Sequence, residues 1–181
     1  MKPLEGKRIV VLAEDLFEDL ELWYPLIRMK EAGAEVTVAG TTAGVNYHGK
    51  QGLTVQSDTA TNGLEAADFD AVIIPGGYAP DKMRRHEATL KLVRDIFNQG
   101  GVVAMICHAG WVPISAGIVS GKNVTSTSAI KDDLINAGAQ WSDQAVVIDG
   151  NLISSRSPQD LPVFCEAIIQ IMNGDGAQNL S

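Results

Sequence analysis

The feature that most constrains the fold is a run of five apolar residues, Val102–Ile106, which follows Gly100-Gly101 and ends abruptly at Cys107. A short apolar run without polar alternation is typical of a strand covered on both faces in a parallel sheet. A helix is predicted over 109–116, so Cys107 lies at a strand-to-helix turn. A side chain there projects from the carboxyl edge of the sheet, beside the positive end of a helix. The pattern predicts a nucleophilic thiol, partly ionised near neutral pH.

The remaining patterns predict alternating strands and helices. Strands are predicted over 7–13, 35–39, 70–74, 102–106, 124–126, 146–148 and 152–154. Helices are predicted over 18–32, 87–99, 109–116 and 130–137, and from an N-cap at Ser157 to about Met172. Polar, glycine-punctuated residues 41–62 indicate only short extended pieces. This order predicts an α/β fold, a mostly parallel sheet with helices on both faces and ligands at the carboxyl ends of the strands.

Composition narrows the function classes. The chain has 181 residues, enough for one domain over 1–181, with a loose tail expected from about Gly174. Its net charge of -8 predicts repulsion from nucleic acid and from anionic membranes. The longest apolar run near the start covers only 9–13, so a cytoplasmic location is expected. Cys107 and Cys165 have no metal-type spacing, so neither a metal nor a cofactor is predicted.

A base for cysteine chemistry must come from three histidines, at positions 48, 86 and 108. His108 is nearest to Cys107 in sequence. Adjacent helical residues point roughly 100° apart, so direct contact with the sulfur requires a non-helical turn. The alternatives are that Cys107 is a small core residue and that His108 is a solvated surface residue.

Carboxyl and glycine residues provide the other candidates. Acidic residues cluster at the first helix start, namely Glu14, Asp15, Glu18, Asp19 and Glu21. A favourable interaction with the helix dipole is enough to explain these acidic residues. Alternatively, a carboxyl group that faces the thiol would stay protonated and donate a hydrogen bond to it. Gly76 and Gly77 form a turn or bring backbone amides to an oxyanion. Asp81 is an ordinary helix-start acid or a partner that orients His108.

Five ordered motifs together resemble the PfpI family, which is similar to the Parkinson-associated deglycase and to class I amidotransferase domains. The motifs are Phe17-Glu18-Asp19, Pro75-Gly76-Gly77 with Pro80-Asp81, Ile106-Cys107-His108, Ile130-Lys131-Asp132-Asp133 with Asn136-Ala137-Gly138-Ala139, and 155–162. The resemblance covers roughly residues 7–172. It implies a flavodoxin-like three-layer sandwich. Its members are described as intracellular cysteine peptidases, general stress proteins, and glyoxalases or deglycases.

By matching position, the resemblance implies a role for each motif residue. Cys107 is the nucleophile at the elbow, and His108 is its base. Glu18 is the carboxyl group close to the sulfur. Gly76 and Gly77 supply the oxyanion amides.

The resemblance also implies assembly. The acid that orients the histidine comes from an adjacent subunit in the family, at the place held here by Asp81, so a dimer or a hexamer of dimers is expected. Two departures concern the substrate. Ala109-Gly110-Trp111 replaces the common Gly-Pro and places Trp111 in the pocket wall, and Asp81 stands where peptidases often have Glu. Of the activities implied by the resemblance, peptidase activity is therefore the less expected.

The leading hypothesis is a stress-related cysteine hydrolase or lyase acting on small carbonyl compounds, glycated amino groups or peptides. The alternative is a redox sensor or protective, chaperone-like protein without turnover, in which Cys107 is oxidised. A glutamine amidotransferase is disfavoured because no histidine follows His108 to complete its triad.

Overall fold

The structure is a computed structural model and describes residues 1–174, so nearly all of the tail expected from Gly174 lies outside the described residues. The strands are β1 (Arg8–Leu12), β2 (Glu35–Gly40), β3 (Asn46–His48), β4 (Thr54–Gln56), β5 (Thr59–Ala60), β6 (Ala71–Ile74), β7 (Val102–Ile106), β8 (Asn123–Val124), β9 (Gln140–Trp141), β10 (Val146–Asp149) and β11 (Leu152–Ser155). The α-helices are α1 (Asp19–Glu31), α2 (Ala79–Met83), α3 (Glu87–Asn98), α4 (Trp111–Ala116), α5 (Lys131–Asn136) and α6 (Leu161–Met172).

Seven strands form the central sheet in the order β10-β11-β7-β6-β1-β2-β5. All neighbours pair in parallel except β10, which pairs antiparallel with β11. Helices α1 and α6 pack together, as do α3 and α4, and these two groups flank the sheet. The predicted α/β sandwich is therefore confirmed.

The core lies around the central strands, because every residue of β6 and of β7 is buried. Their unbroken apolar sequences are explained by cover on both faces of the sheet. The boundaries of β7 match the predicted strand 102–106.

Local predictions were confirmed where the sequence signal was strong. The turn at Asp149-Gly150-Asn151 joins the antiparallel strands β10 and β11. The polar region contains the short hairpin of β3 and β4 together with edge strand β5. Helix α2 was missed because its five residues are too few to show helical periodicity. Ser157 makes no side-chain cap, and the carboxylate of Asp160 accepts a hydrogen bond from Arg156 Nε.

The loops that follow β1 and β6 are joined at the carboxyl edge of the sheet. The backbone N–H of Glu18 donates to the carbonyl of Gly76 at 3.1 Å, and that of Tyr78 donates to the carbonyl of Leu16 at 2.9 Å. Phe17 also forms an isolated β-bridge with Gly77. This pairing places both loops beside the end of β7, where Cys107 lies.

Gly77 lies where the loops after β1 and β6 approach each other closely. Its φ is 80°, and an added Cβ would lie 2.5 Å from the backbone nitrogen of Glu18 and would also meet the carbonyl of Leu16. Gly63 has a φ of 93° but open space around its Cβ position. We expect Gly77→Ala to lower the free energy of unfolding by about 3 kcal/mol and Gly63→Ala by only about 1 kcal/mol. Urea denaturation measures both, and equal losses would contradict the close approach.

Candidate active site

Cys107 occupies a strained elbow between β7 and the helical turn 107–110. Its φ is 62°, in the left-handed region that non-glycine residues rarely adopt. Such backbone conformations cost about 1–3 kcal/mol and persist where the surrounding structure holds them. The predicted strand-to-helix turn is thus confirmed, with the cysteine half-buried at its apex.

The elbow brings the side chain of His108 to the sulfur. Cys107 Sγ lies 3.3 Å from His108 Nδ1. The contact meets the condition that neighbouring residues touch only if the turn is not a regular α-helix. Burial lowers the pKa of His108, and the positive charge of Lys50 lowers it further. The ring is therefore neutral near pH 7, and with its proton on Nε2 it can accept a proton at Nδ1.

The carboxyl group at the sulfur belongs to Glu21. Its side chain is fully buried, its Oε2 accepts the N–H of Gly76 at 2.8 Å, and its carboxyl lies close enough to the Cys107 thiol for each group to affect the pKa of the other. Glu18 instead caps α1, where its carboxylate accepts the N–H of Glu21 at 2.9 Å. The structure therefore corrects the position expected for Glu18.

The helix geometry explains this correction. Glu18 is the N-cap residue, so its side chain turns back onto the first turn of α1. Glu21 lies one turn later, on the same buried face as Pro25 and Met29, with four-residue spacing. An acidic residue in register with the apolar residues of this face was the sequence signal that could have identified Glu21.

Burial limits the negative charge that Glu21 and Cys107 can carry together. Burial, followed by the nearby charge of Glu18, raises the pKa of Glu21 to about 8. Burial and the charge of an ionised Glu21 raise the pKa of Cys107 to about 12, against opposing hydrogen bonds from the N–H groups of His108 and Gly77. The pair consequently carries at most one negative charge near neutrality. Burial therefore opposes the predicted partial ionisation of the thiol, whereas the backbone donors favour it.

The oxyanion donors also differ from expectation. The N–H of Gly76 already donates to Glu21, so it is not free for a substrate oxygen. The N–H groups of Gly77 and His108 face the sulfur. The predicted role of Gly77 stands as a prediction, whereas the amide of His108 was missed because backbone direction has no side-chain signal.

Trp111 packs beside His108 at one side of the candidate site. Its ring meets that of His108 edge-on, with centroids 5.4 Å apart. Its Nε1 donates to Asp133 Oδ2 at 2.8 Å, and the guanidinium of Arg84 lies 5.6 Å from the indole centroid. Trp111 is thus held from two sides next to the candidate base.

Asp81 does not reach the histidine within one chain. It lies on α2, half-exposed, and pairs with Arg85 at 2.6 Å. Among residues 1–174, the sulfur of Cys107 is the only hydrogen-bond partner of the His108 ring. The other ring nitrogen thus has no orienting acid from this part of the chain.

Other site classes have no counterpart in the part of the chain that the structure describes. No group of three or more His, Cys, Asp or Glu residues there could hold a metal ion, and no helix there is long and apolar enough to cross a membrane. Cys165 is buried in α6, as expected for a core cysteine.

The raised pKa of Glu21 predicts a pH-dependent stability. Between pH 5 and pH 8 the folded state keeps a proton that the unfolded chain releases, so stability falls as pH rises through this window. Glu21→Gln removes this loss. We expect the unfolding free energy of the variant, relative to the unsubstituted protein, to rise by about 4 kcal/mol from pH 5 to pH 8. Urea denaturation at both pH values measures it, and a constant difference would refute the protonated carboxyl.

Comparison with known proteins places these features in a family. The model of the DJ-1/PfpI family matches residues 7–171. The chain is 41% identical to Deglycase PfpI of Pyrococcus furiosus over 91% of this chain and 99% of the relative. It is 38% identical to Protein/nucleic acid deglycase 2 of Escherichia coli over 92% of this chain and 98% of the relative.

A solved structure gives the same result. The chain matches a two-domain protein from Anabaena variabilis, which contains DJ-1/ThiJ/PfpI-like and ferritin-like domains, with 42% identity and a TM-score of 0.92. The match covers 97% of this chain and 52% of that one, so the chain spans about half of the two-domain protein. With the family model matched over nearly its whole length, this chain belongs to the DJ-1/PfpI family.

Proposed function

We propose that this protein is a cysteine-dependent hydrolase or lyase of the PfpI type that acts on carbonyl compounds and glycated amino groups in protection against stress. The contact between Cys107 Sγ and His108 Nδ1 at the strained elbow carries the proposal. A thiol and a neutral imidazole in contact form the pair that nucleophilic catalysis requires. The names of the Pyrococcus and Escherichia relatives support deglycation as the reaction class.

In the proposed reaction, His108 Nδ1 takes the thiol proton as the sulfur of Cys107 attacks a carbonyl carbon. A C–S bond forms, and the electron pair of the C=O bond moves onto oxygen. The N–H groups of Gly77 and His108 stabilise that oxygen. The imidazolium then returns the proton to the alkoxide, which gives a hemithioacetal. Where the attacked carbon also carries nitrogen, the C=O bond re-forms, the C–N bond breaks, the departing amine takes the proton, and a thioester remains on Cys107 for hydrolysis by water.

Glu21 keeps the site neutral in this scheme. A protonated carboxyl beside sulfur adds no repulsion when negative charge develops during attack. Its Oε2 accepts the N–H of Gly76, but its buried Oε1 has no hydrogen-bond partner among the described residues, which disfavours the ionised form. Activity is therefore expected to fall as Glu21 ionises above about pH 8.

The proposal includes self-association. Apolar side chains on the outer face of α1 and on the β3–β4 hairpin are exposed, namely Leu20, Tyr24, Ile27 and Leu53. A contiguous apolar face of this kind is typical of a contact between protein chains. Asp81 of a neighbouring copy would supply the acid that His108 lacks within its own chain.

A non-catalytic redox function is the second candidate. The buried carboxyl of Glu21 would hydrogen-bond an oxidised sulfur as readily as a thiol. Mild peroxide followed by mass spectrometry distinguishes the sites. Oxygen addition at Cys107 supports this function, whereas preferential addition at the buried Cys165 argues against it.

The proposed nucleophile predicts a loss of turnover on substitution. Cys107→Ser is expected to reduce methylglyoxal consumption by about 100-fold or more, because a hydroxyl is a poorer nucleophile than the thiol. Cys165→Ala, a control substitution at the buried cysteine, should retain most activity. Colorimetric loss of methylglyoxal measures both, and equal rates for Cys107→Ser and the unsubstituted protein would exclude the proposal.

The proposed contribution of Asp81 in trans predicts complementation. Asp81→Asn alone should lower turnover by about tenfold, since an unoriented imidazole is a weaker base. Mixed refolding of Asp81→Asn with Cys107→Ser should recover activity, because hybrid assemblies pair an intact cysteine with an intact aspartate. Turnover that stays at the sum of the two separate variants would rule out the neighbouring-chain role.

A further inference from the structure

Lys50 lies in a turn between β3 and β4 whose backbone is firmly held. Its N–H donates to the carbonyl of Phe17 at 2.9 Å. The carboxylate of Asp19 accepts the N–H groups of Gln51 and Leu53, both at 2.8 Å. The turn is thus fixed to the start of α1, while the Lys50 side chain remains exposed.

The ammonium group of Lys50 lies over the ring of Tyr78, next to a loop of the candidate active site. Its Nζ lies 5.1 Å from the ring centroid of Tyr78, which follows Gly77, the donor to the sulfur. After burial, the charge of Lys50 is the second cause that lowers the pKa of His108. The same charge opposes the rise that burial causes in the pKa of Glu21. Its field therefore reaches both groups that contact the nucleophile.

No acidic side chain neutralises this cation within residues 1–174. Lys50 takes part in none of the ion pairs there. The acids of the neighbouring loop are already engaged. Asp15 contacts His48, Glu18 caps α1, and Asp19 holds the hairpin turn. In a chain of net charge -8, an unpaired cation near the two groups that flank the nucleophile is available to a ligand.

We propose that Lys50 is a specificity-determining residue that binds an anionic group, a carboxylate or a phosphate, on the substrate attacked by Cys107. This inference rests on the proposed function and narrows its substrate class to anionic carbonyl adducts. A flexible ammonium group recognises either anion as a point charge, without the fixed geometry of a guanidinium. The ring face of Tyr78 attracts the cation and favours its position next to Gly77.

A matched pair of thiol reagents tests the local field at the sulfur without turnover. Iodoacetate and iodoacetamide alkylate the same atom, but only iodoacetate carries a carboxylate. We expect the ratio of their rate constants at Cys107 to fall about tenfold in Lys50→Gln, through loss of one nearby unit charge. Peptide mass spectrometry separates Cys107 from Cys165.

Two further variants serve as controls. Lys50→Arg should keep the ratio, because it preserves the charge. Lys30→Gln removes the same charge from the exposed far end of α1 and should leave the ratio unchanged. An unchanged ratio in Lys50→Gln, or an equal fall in Lys30→Gln, would overturn the inference.

Turnover then tests substrate choice and identifies the anion. The carboxylate pair consists of methylglyoxal hemithioacetals of N-acetylcysteine and of its neutral amide. The phosphate pair consists of methylglyoxal adducts of guanosine monophosphate and guanosine. Lys50→Gln should lower kcat/KM about tenfold for the charged member of the pair that is recognised and less than twofold for its neutral member.

The two proposals fail in different ways. Equal losses for charged and neutral substrates would reject selection by Lys50 while leaving the cysteine chemistry intact. Absence of any turnover that depends on Cys107, with the alkylation ratio still sensitive to Lys50, would reject the proposed function and leave an anion-binding thiol site.

Discussion

The buried contact between Glu21 and Cys107 holds the candidate active site together. Glu21 lies on α1, accepts the N–H of Gly76 after β6, and reaches the thiol at the end of β7. One carboxyl group thereby joins the first helix to the ends of two neighbouring strands, β6 and β7. An added Cβ at Gly76 would lie 2.8 Å from the Cβ of Cys107, which shows how little space separates them.

This contact also determines the charge of the site. Two buried acids in contact cannot both ionise near neutrality, because each charge is poorly solvated and repels the other. A neutral Glu21 leaves His108 as the proton acceptor for Cys107. Lys50 supplies positive charge from the exposed side. The same arrangement serves attack on a carbonyl and stabilisation of an oxidised sulfur, which explains why sequence alone left both functions open.

Sequence predicted those parts of the structure that local patterns determine. The strand ending at Cys107 followed from an unbroken apolar run, and the β10–β11 hairpin followed from its turn residues. The choice between Glu18 and Glu21 depends on which of two acids caps a helix and which faces the sheet, and this is decided by packing. The engagement of the Gly76 amide likewise depends on a partner 55 residues away in the chain.

Titration of the Glu21 carboxyl carbon by carbon-13 NMR tests the central claim most directly, with Glu21→Gln used to assign the signal. The account predicts a protonated carboxyl at pH 6 that titrates near pH 8. Removing the thiol with Cys107→Ala should shift this titration, because the two groups are in contact. A Glu21 carboxyl already ionised at pH 6, with a titration unaffected by Cys107→Ala, would contradict the account.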